Sequence, residues 1–241
     1  MIDADLHSGA SPTTMTPRLR AASVWPSLLL PLVLLVVFAM HLRDLRHFLD
    51  FQLHYTPLPA DVVVRHLLAQ GGARPLFADP HVIAYLSLPL FLLTARSLHR
   101  RARDRHPRAS AVAAGLTATG TLYVGGLFGM WTAFYDGLAQ VDPSHLEGAT
   151  ATFAALTAPH GAFLLTTTLA KLAFVGLATQ GLLLWDRDAA SRAAAIAIAL
   201  GSGLFLAFWD LDNWMAVGSL LLLAGLVAAA RQPAPAPVAS R

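Results

Sequence analysis

Six stretches of this chain are apolar over lengths that a bilayer requires: residues 24–42, 80–98, 110–135, 160–185, 192–209 and 212–230. A helix rises 1.5 Å per residue, so roughly 20 residues cross a hydrocarbon layer about 30 Å thick. The second stretch is the shortest and carries Pro89 at its centre, but Pro80 suits a first helical turn and Arg96 closes it. With 56% of its residues hydrophobic and 13% charged, the chain has too little polar surface for a soluble domain of 241 residues. The predicted fold class is therefore all-α: a polytopic membrane helix bundle of six transmembrane helices, forming one domain over 24–230. Residues 1–23, polar and rich in Pro and Thr, and the Pro/Ala segment 231–241 read as disordered tails. The first apolar run has no small-residue cleavage site after it and reads as a signal anchor.

Arginine sets the orientation. Six alternating spans put Arg18, Arg20, the cluster from Arg96 to Arg108, Arg187, Arg192, Arg231 and Arg241 on one side. Arg43, Arg46, Arg65 and Arg74 fall on the other, in a long loop that also holds Asp44, Asp50, Asp61 and Asp79. The positive-inside rule makes both termini cytoplasmic. Tryptophan agrees independently: Trp25 and Trp185 lie at inner ends, and Trp131, Trp209 and Trp214 at outer ends. The expected location is a bacterial cytoplasmic (inner) membrane, crossed several times. The arginines sit beside apolar runs, so the partner they imply is the lipid bilayer, with anionic headgroups near the loop 96–108, and not nucleic acid.

Two outer loops carry helical patterns of their own. "PADVVVRHLLAQGG" predicts a short amphipathic helix ended by Gly71 and Gly72, and "PSHLEGATATFAALTAP" predicts another, with Ser144 and Glu147 in capping-box spacing. The last outer connection is only "DLDN", which forces the fifth and sixth spans into a tight hairpin.

Candidate chemistry centres on Lys171, the only lysine against sixteen arginines. It falls about 11 residues below His160, or roughly 16 Å, beyond the reach of simple snorkelling. An ammonium in lipid at that depth costs a few kcal/mol, so the side chain is expected to face the bundle interior. A lysine can be neutralised by burial and an arginine cannot, which rationalises the choice. His160, Thr167, Thr168, Lys171 and Thr179 share one helical face, and Thr117, Thr121, Thr132 and Asp136 form a stripe on the third span. Gly125 and Gly129 make a GxxxG pair that admits a neighbouring helix, and Tyr123 lies at the depth of Lys171. The bland counterpart is that span threonines bond their own backbone and that GxxxG marks packing. A polar cavity between the third and fourth spans, open outward, would use Lys171 to hold an anionic group or relay a proton. Tyr123, Thr121, Thr167 and Thr168 would orient the ligand, and His160 and Asp136 would stand at the mouth.

Seven of ten histidines map outside, and His41, His81 and His160 stand at span mouths. With Asp136, Asp210 or Asp212, the carboxylates expected at the outer interface, they form a candidate divalent-metal set of imidazole and carboxylate type. His47, Asp50 and His54 share a face in "HLRDLRHFLDFQLH". No cofactor is required by the sequence. Without cysteine there is no disulfide, thiolate nucleophile, iron–sulfur cluster or cysteine-bound zinc. HExxH, GxSxG, GxGxxG and the P-loop are missing as well.

The layout over residues 24–230, six spans with two helix-bearing outer loops, resembles the short six-span membrane proteins of bacteria grouped as domains of unknown function. That resemblance implies an all-α membrane bundle and no activity, so it assigns no residue a role. The residues themselves favour a non-enzymatic protein, a small transporter-like molecule, carrier or sensor. They leave open a membrane-embedded metal-dependent enzyme acting on lipid, and an assembly or scaffold subunit without ligand.

Overall fold

The computed structural model describes residues 25–41, 49, 51–53, 58–69, 79–158, 160–186 and 188–232. Among these residues the regular structure is wholly helical. In chain order the helices are α1 (Trp25–His41), α2 (Ala60–Ala69), α3 (Pro80–Leu86), α4 (Leu88–Ala102), α5 (Pro107–Ala139), α6 (Leu146–Thr157), α7 (Gly161–Ala170), α8 (Leu172–Leu182), α9 (Ala189–Ala207) and α10 (Asp212–Arg231). A single 3₁₀ turn, Pro143–His145, leads into α6. The proposed tail 1–23, all but Arg231 and Gln232 of the proposed tail 231–241, the set His47, Asp50 and His54, and the terminator Gly71–Gly72 lie outside the described residues; Arg231 closes α10.

Four helices among the described residues are long and apolar enough to cross a membrane: Pro107–Leu138, Gly161–Leu182, Ala189–Ala207 and Asp212–Arg231. The pair α3–α4 makes a fifth candidate if its 44° bend is counted within one span. The sequence predicts six, and the first falls short because its apolar helix, Ser27–His41, is under 18 residues. The outside of the bundle is apolar where a soluble protein would be charged: Leu32, Val36, Leu92, Leu93, Val112, Leu122, Leu164, Leu165, Ile196, Leu200 and Leu220 are all exposed. Such a surface is compatible with a membrane-embedded bundle.

The bend has a local cause. Pro89 lacks an N–H and its ring clashes with the carbonyl four residues back, so the helix reaching Leu86 cannot run through it. Ser87 closes the gap by donating its hydroxyl to the Ala84 carbonyl, 2.7 Å away, and its N–H to Ile83 and Ala84. At the other end of α3, Asp79 caps the first turn by accepting the His81 N–H at 2.8 Å. The capping box expected at Ser144 and Glu147 does not form. Asp142 caps instead, accepting the Ser144 N–H at 2.8 Å, and its carboxyl is held below the ordinary carboxylate range by that bond. The 3₁₀ turn therefore delays the start of α6 to Leu146.

Close packing of α5 against α8 rests on glycine. A Cβ on Gly120 would overlap the backbone of Leu172 and Ala173, and one on Gly176 would overlap Thr117 and the Ala113 carbonyl. Gly201 and Gly218 allow the same approach between α9 and α10. The pair Gly125 and Gly129 meets side chains in place of the expected close backbone, Leu88 and Tyr85 at the α3–α4 bend. Gln180, fully buried on α8, donates to the Ala95 carbonyl of α4 at 2.8 Å and ties those two helices together. One large core joins α1, α3, α4, α5, the end of α7, α8, α9 and α10, and a second, smaller one joins α2, α6 and the end of α5 around Val64, Leu138 and Phe153.

Candidate functional site

The helices converge on a cavity of about 100 Å³ at the end of the bundle where α1 stops, α3 begins and the α9–α10 hairpin turns. That space holds several waters or a small organic group. Its walls come from Leu34, Val37 and Phe38 on α1, Phe91 on α4, Val124, Leu127, Phe128 and Trp131 on α5, and Phe174 on α8. Trp209 of the hairpin and Met215 of α10 complete the apolar lining, and His41, His81, Asp210 and Asp212 supply the polar part. Below it, Phe174 stacks on Phe205 at 4.3 Å between ring centroids and meets Phe91 edge-on, which gives the cavity a rigid aromatic base.

Local bonds orient both histidines. His41, in the last turn of α1, donates Nδ1–H to the Val37 carbonyl at 2.9 Å and lies 3.9 Å from the Asp212 carboxylate. His81 donates Nδ1–H to Asp79 at 2.9 Å. A neutral imidazole that donates from Nδ1 presents Nε2 as an acceptor. The two rings meet edge to face at 5.4 Å, and Tyr135 packs on the far side of His81 at 5.1 Å.

Asp210 occupies the tightest position of the hairpin. Its φ of +70° is the only positive value among described non-glycine residues, in a region that Asp and Asn tolerate better than other side chains. The residue keeps contact with solvent on the open side of the cavity, while protein crowds its carboxyl on the others. That desolvation pushes its pKa up to about 6; repulsion from Asp212 adds to the rise, and the Lys171 ammonium opposes it.

The folded state therefore holds a proton on Asp210 at pH values where the unfolded chain, with the ordinary value of 3.8, has released it. Asp210 favours folding most at low pH, and its contribution falls as pH rises from about 4 through about 6. Infrared difference spectra should show a protonated-carboxyl C=O band that disappears with a midpoint near pH 6. Asp210→Asn should abolish the band, Lys171→Met should move the midpoint up, and Asp212→Asn should move it down.

Lys171 lies at the junction of α7 and α8, where the helical hydrogen-bond pattern lapses for one residue. It is half-buried, and its Nζ stands 5.8 Å from the centre of the Trp209 ring. A helical side chain leans toward the N-terminus of its helix, which here is the hairpin side. The amine thus points toward the end of the bundle that carries the cavity, where it meets the Trp209 ring. It faces protein, as the sequence predicts.

The other predicted site residues are distributed differently. Thr121 donates to the Thr117 carbonyl at 2.7 Å, and Thr167 to the Phe163 carbonyl at 2.9 Å, so both hydroxyls serve their own helices. Thr168 is exposed, and Tyr123 is half-buried against the main core. His160 is an exposed residue at the start of α7, and Asp136 is exposed near the end of α5. Of the metal set, the structure joins His41 to His81 but leaves His160 and Asp136 out of the cavity lining. No group of three or more His, Asp or Glu among the described residues is placed to hold a metal ion. The cavity also differs from the one expected between the third and fourth spans alone, since α1, α3, α4 and the hairpin build most of it. Asp210 and Asp212 were legible as outer-interface carboxylates; their convergence with His41 depends on α1 packing against α10, which no local pattern encodes.

No protein-family model matches the chain, and no curated protein or solved structure is similar enough to count as a match.

Proposed function

We propose that this chain is a six-pass membrane protein acting as a small carrier or sensor through the outward-facing cavity. In this reading α1 and the bent α3–α4 pair are both spans. The 17 residues of α1 cover roughly 26 Å, a deficit of a few ångström that local thinning of the bilayer absorbs. Both termini lie in the cytoplasm of a bacterium, on the side of the arginine-rich connection from Arg96 to Arg108, which also meets anionic headgroups. The resemblance in layout to bacterial six-span proteins fits this topology.

One observation carries the functional reading. Four titratable side chains from three separate parts of the chain, His41, His81, Asp210 and Asp212, line one aromatic cavity at one end of the bundle, and Lys171 stands beside it against Trp209. Ionisable groups facing the interior of a membrane bundle are costly to maintain and mark binding or proton-transfer sites. The Lys171 ammonium already stands against the Trp209 ring and acts electrostatically on Asp210, so in this reading the chain's own carboxyl takes the anion's part anticipated for a ligand of the lysine.

The chain has no cysteine, so single cysteines can be placed and labelled without background. In spheroplasts a membrane-impermeant maleimide should label Ser144→Cys and Asp61→Cys but not Asp104→Cys. A small impermeant thiosulfonate should reach Met215→Cys, which is buried on the cavity wall. External labelling of Asp104→Cys would overturn the topology, and an inert Met215→Cys would overturn the open cavity.

A further inference from the structure

We propose that the cavity binds a small organic ammonium cation, which displaces the Lys171 ammonium from its place against the Trp209 ring. This inference deepens the carrier-or-sensor reading and rests on its open cavity.

The walls favour a positive charge with an apolar body. Phe38, Phe128, Trp131 and Trp209 line the space, and aromatic faces attract cations through their quadrupoles. The two carboxyls at the mouth, Asp210 and Asp212, come from the hairpin and the first turn of α10, and neither lysine nor arginine is among the lining residues. An anion would meet those carboxyls, and a neutral apolar ligand would gain nothing from them. A cavity of about 100 Å³ has room for a methylated ammonium headgroup.

A second, independent observation is the chain's own ammonium. Lys171 Nζ sits over the Trp209 ring and acts electrostatically on Asp210, so the site already demonstrates the pair of interactions that a free ammonium would make. Lys171 behaves as a tethered competitor, held beside the cavity and outside its lining. When a ligand enters, the lysine has three rotatable donors on a flexible stem and can swing aside.

Binding is linked to protons through the same carboxyl. Asp210 faces Lys171 at the α7–α8 junction and Asp212 on α10, and shares the cavity with His41 on α1 and with His81, whose imidazole is held by Asp79, on α3. Only the ionised carboxylate attracts a cation, so affinity should rise with pH through about 6, and binding near that pH should release a proton.

The test uses the full-length protein in lipid nanodiscs and tetramethylammonium as the probe, with tert-butanol as a neutral analogue of similar shape and acetate as an anion. Tryptophan emission and calorimetry report binding. Tetramethylammonium is expected to bind, and to compete with thiosulfonate labelling of Met215→Cys, while the other two are not. Asp210→Asn and Trp209→Leu should each weaken binding roughly tenfold, and Lys171→Met should tighten it by a similar factor. The thermal unfolding of each variant checks that it is folded, and Lys171→Gln replaces the methionine variant if that one does not fold. Equal responses to tetramethylammonium and tert-butanol would overturn the proposal, as would unchanged or weaker binding once the lysine is removed. If Met215→Cys is reactive but tetramethylammonium gives no protection, the cation fails and the open cavity stands.

Discussion

A leucine at Gly120 should cost the bundle about 3 kcal/mol or more, enough to abolish recovery of monodisperse protein in detergent. The added side chain would enter the backbone of Leu172 and Ala173, and backbone cannot move aside by changing rotamer. Its effect would spread because the same crossing fixes Phe174, which carries the aromatic base of the cavity. Gly115→Leu is the matched control: it lies on the same helix, with nothing within 4 Å of a Cβ, and should change stability little. Size-exclusion profiles and thermal unfolding of the two variants would decide the matter. Equal behaviour would mean that α5 and α8 do not cross where the structure places them.

Reversing the charge at position 171 should be nearly as damaging. Lys171→Glu removes the cation that Asp210 faces and adds a third carboxyl beside Asp210 and Asp212, at a depth where an unpaired charge costs a few kcal/mol. Folded yield should fall severalfold. Adding Asp210→Lys restores opposite charges in exchanged positions, and the double-mutant cycle should show a coupling of about 1 kcal/mol or more. Losses that merely add would mean that the ammonium and carboxyl act independently.

How much of this was readable in the sequence differs from residue to residue. The long apolar runs were, because a stretch such as 110–135 offers no water to its backbone and must close its own hydrogen bonds. The amphipathic segment from Ala60 to Ala69 was as well, since an apolar stripe at helical spacing is a local property. Lys171 was correctly expected to face protein, for the cost of the alternative does not depend on the fold. Tertiary geometry decided the rest. Gly120 and Gly125 look alike in sequence, yet one meets α8 and the other the α3–α4 bend, because only packing sets which face of α5 meets which neighbour. Trp209 was visible as an interfacial anchor, but its place against a lysine from another helix is set by tertiary packing. The threonine stripe misled because a hydroxyl in a helix finds its own carbonyl first, as Thr117, Thr121, Thr167 and Thr179 all do. The capping box failed because Asp142, two residues earlier, claimed the Ser144 N–H.

The far end of the bundle is clasped shut. Arg101 of α4 donates to the Ala229 carbonyl in the last turns of α10 at 2.6 Å, and Arg105 pairs with Asp186 between α8 and α9, also at 2.6 Å. Between them these two arginines tie α4 to α10, and the α4–α5 turn to the α8–α9 connection, on the cytoplasmic side of the proposed topology. A molecule that must deliver cargo inward has to undo this latch in every cycle, whereas one that only reports on the outside can leave it fastened. Fixing it permanently with a covalent staple would therefore halt a carrier and spare a receptor.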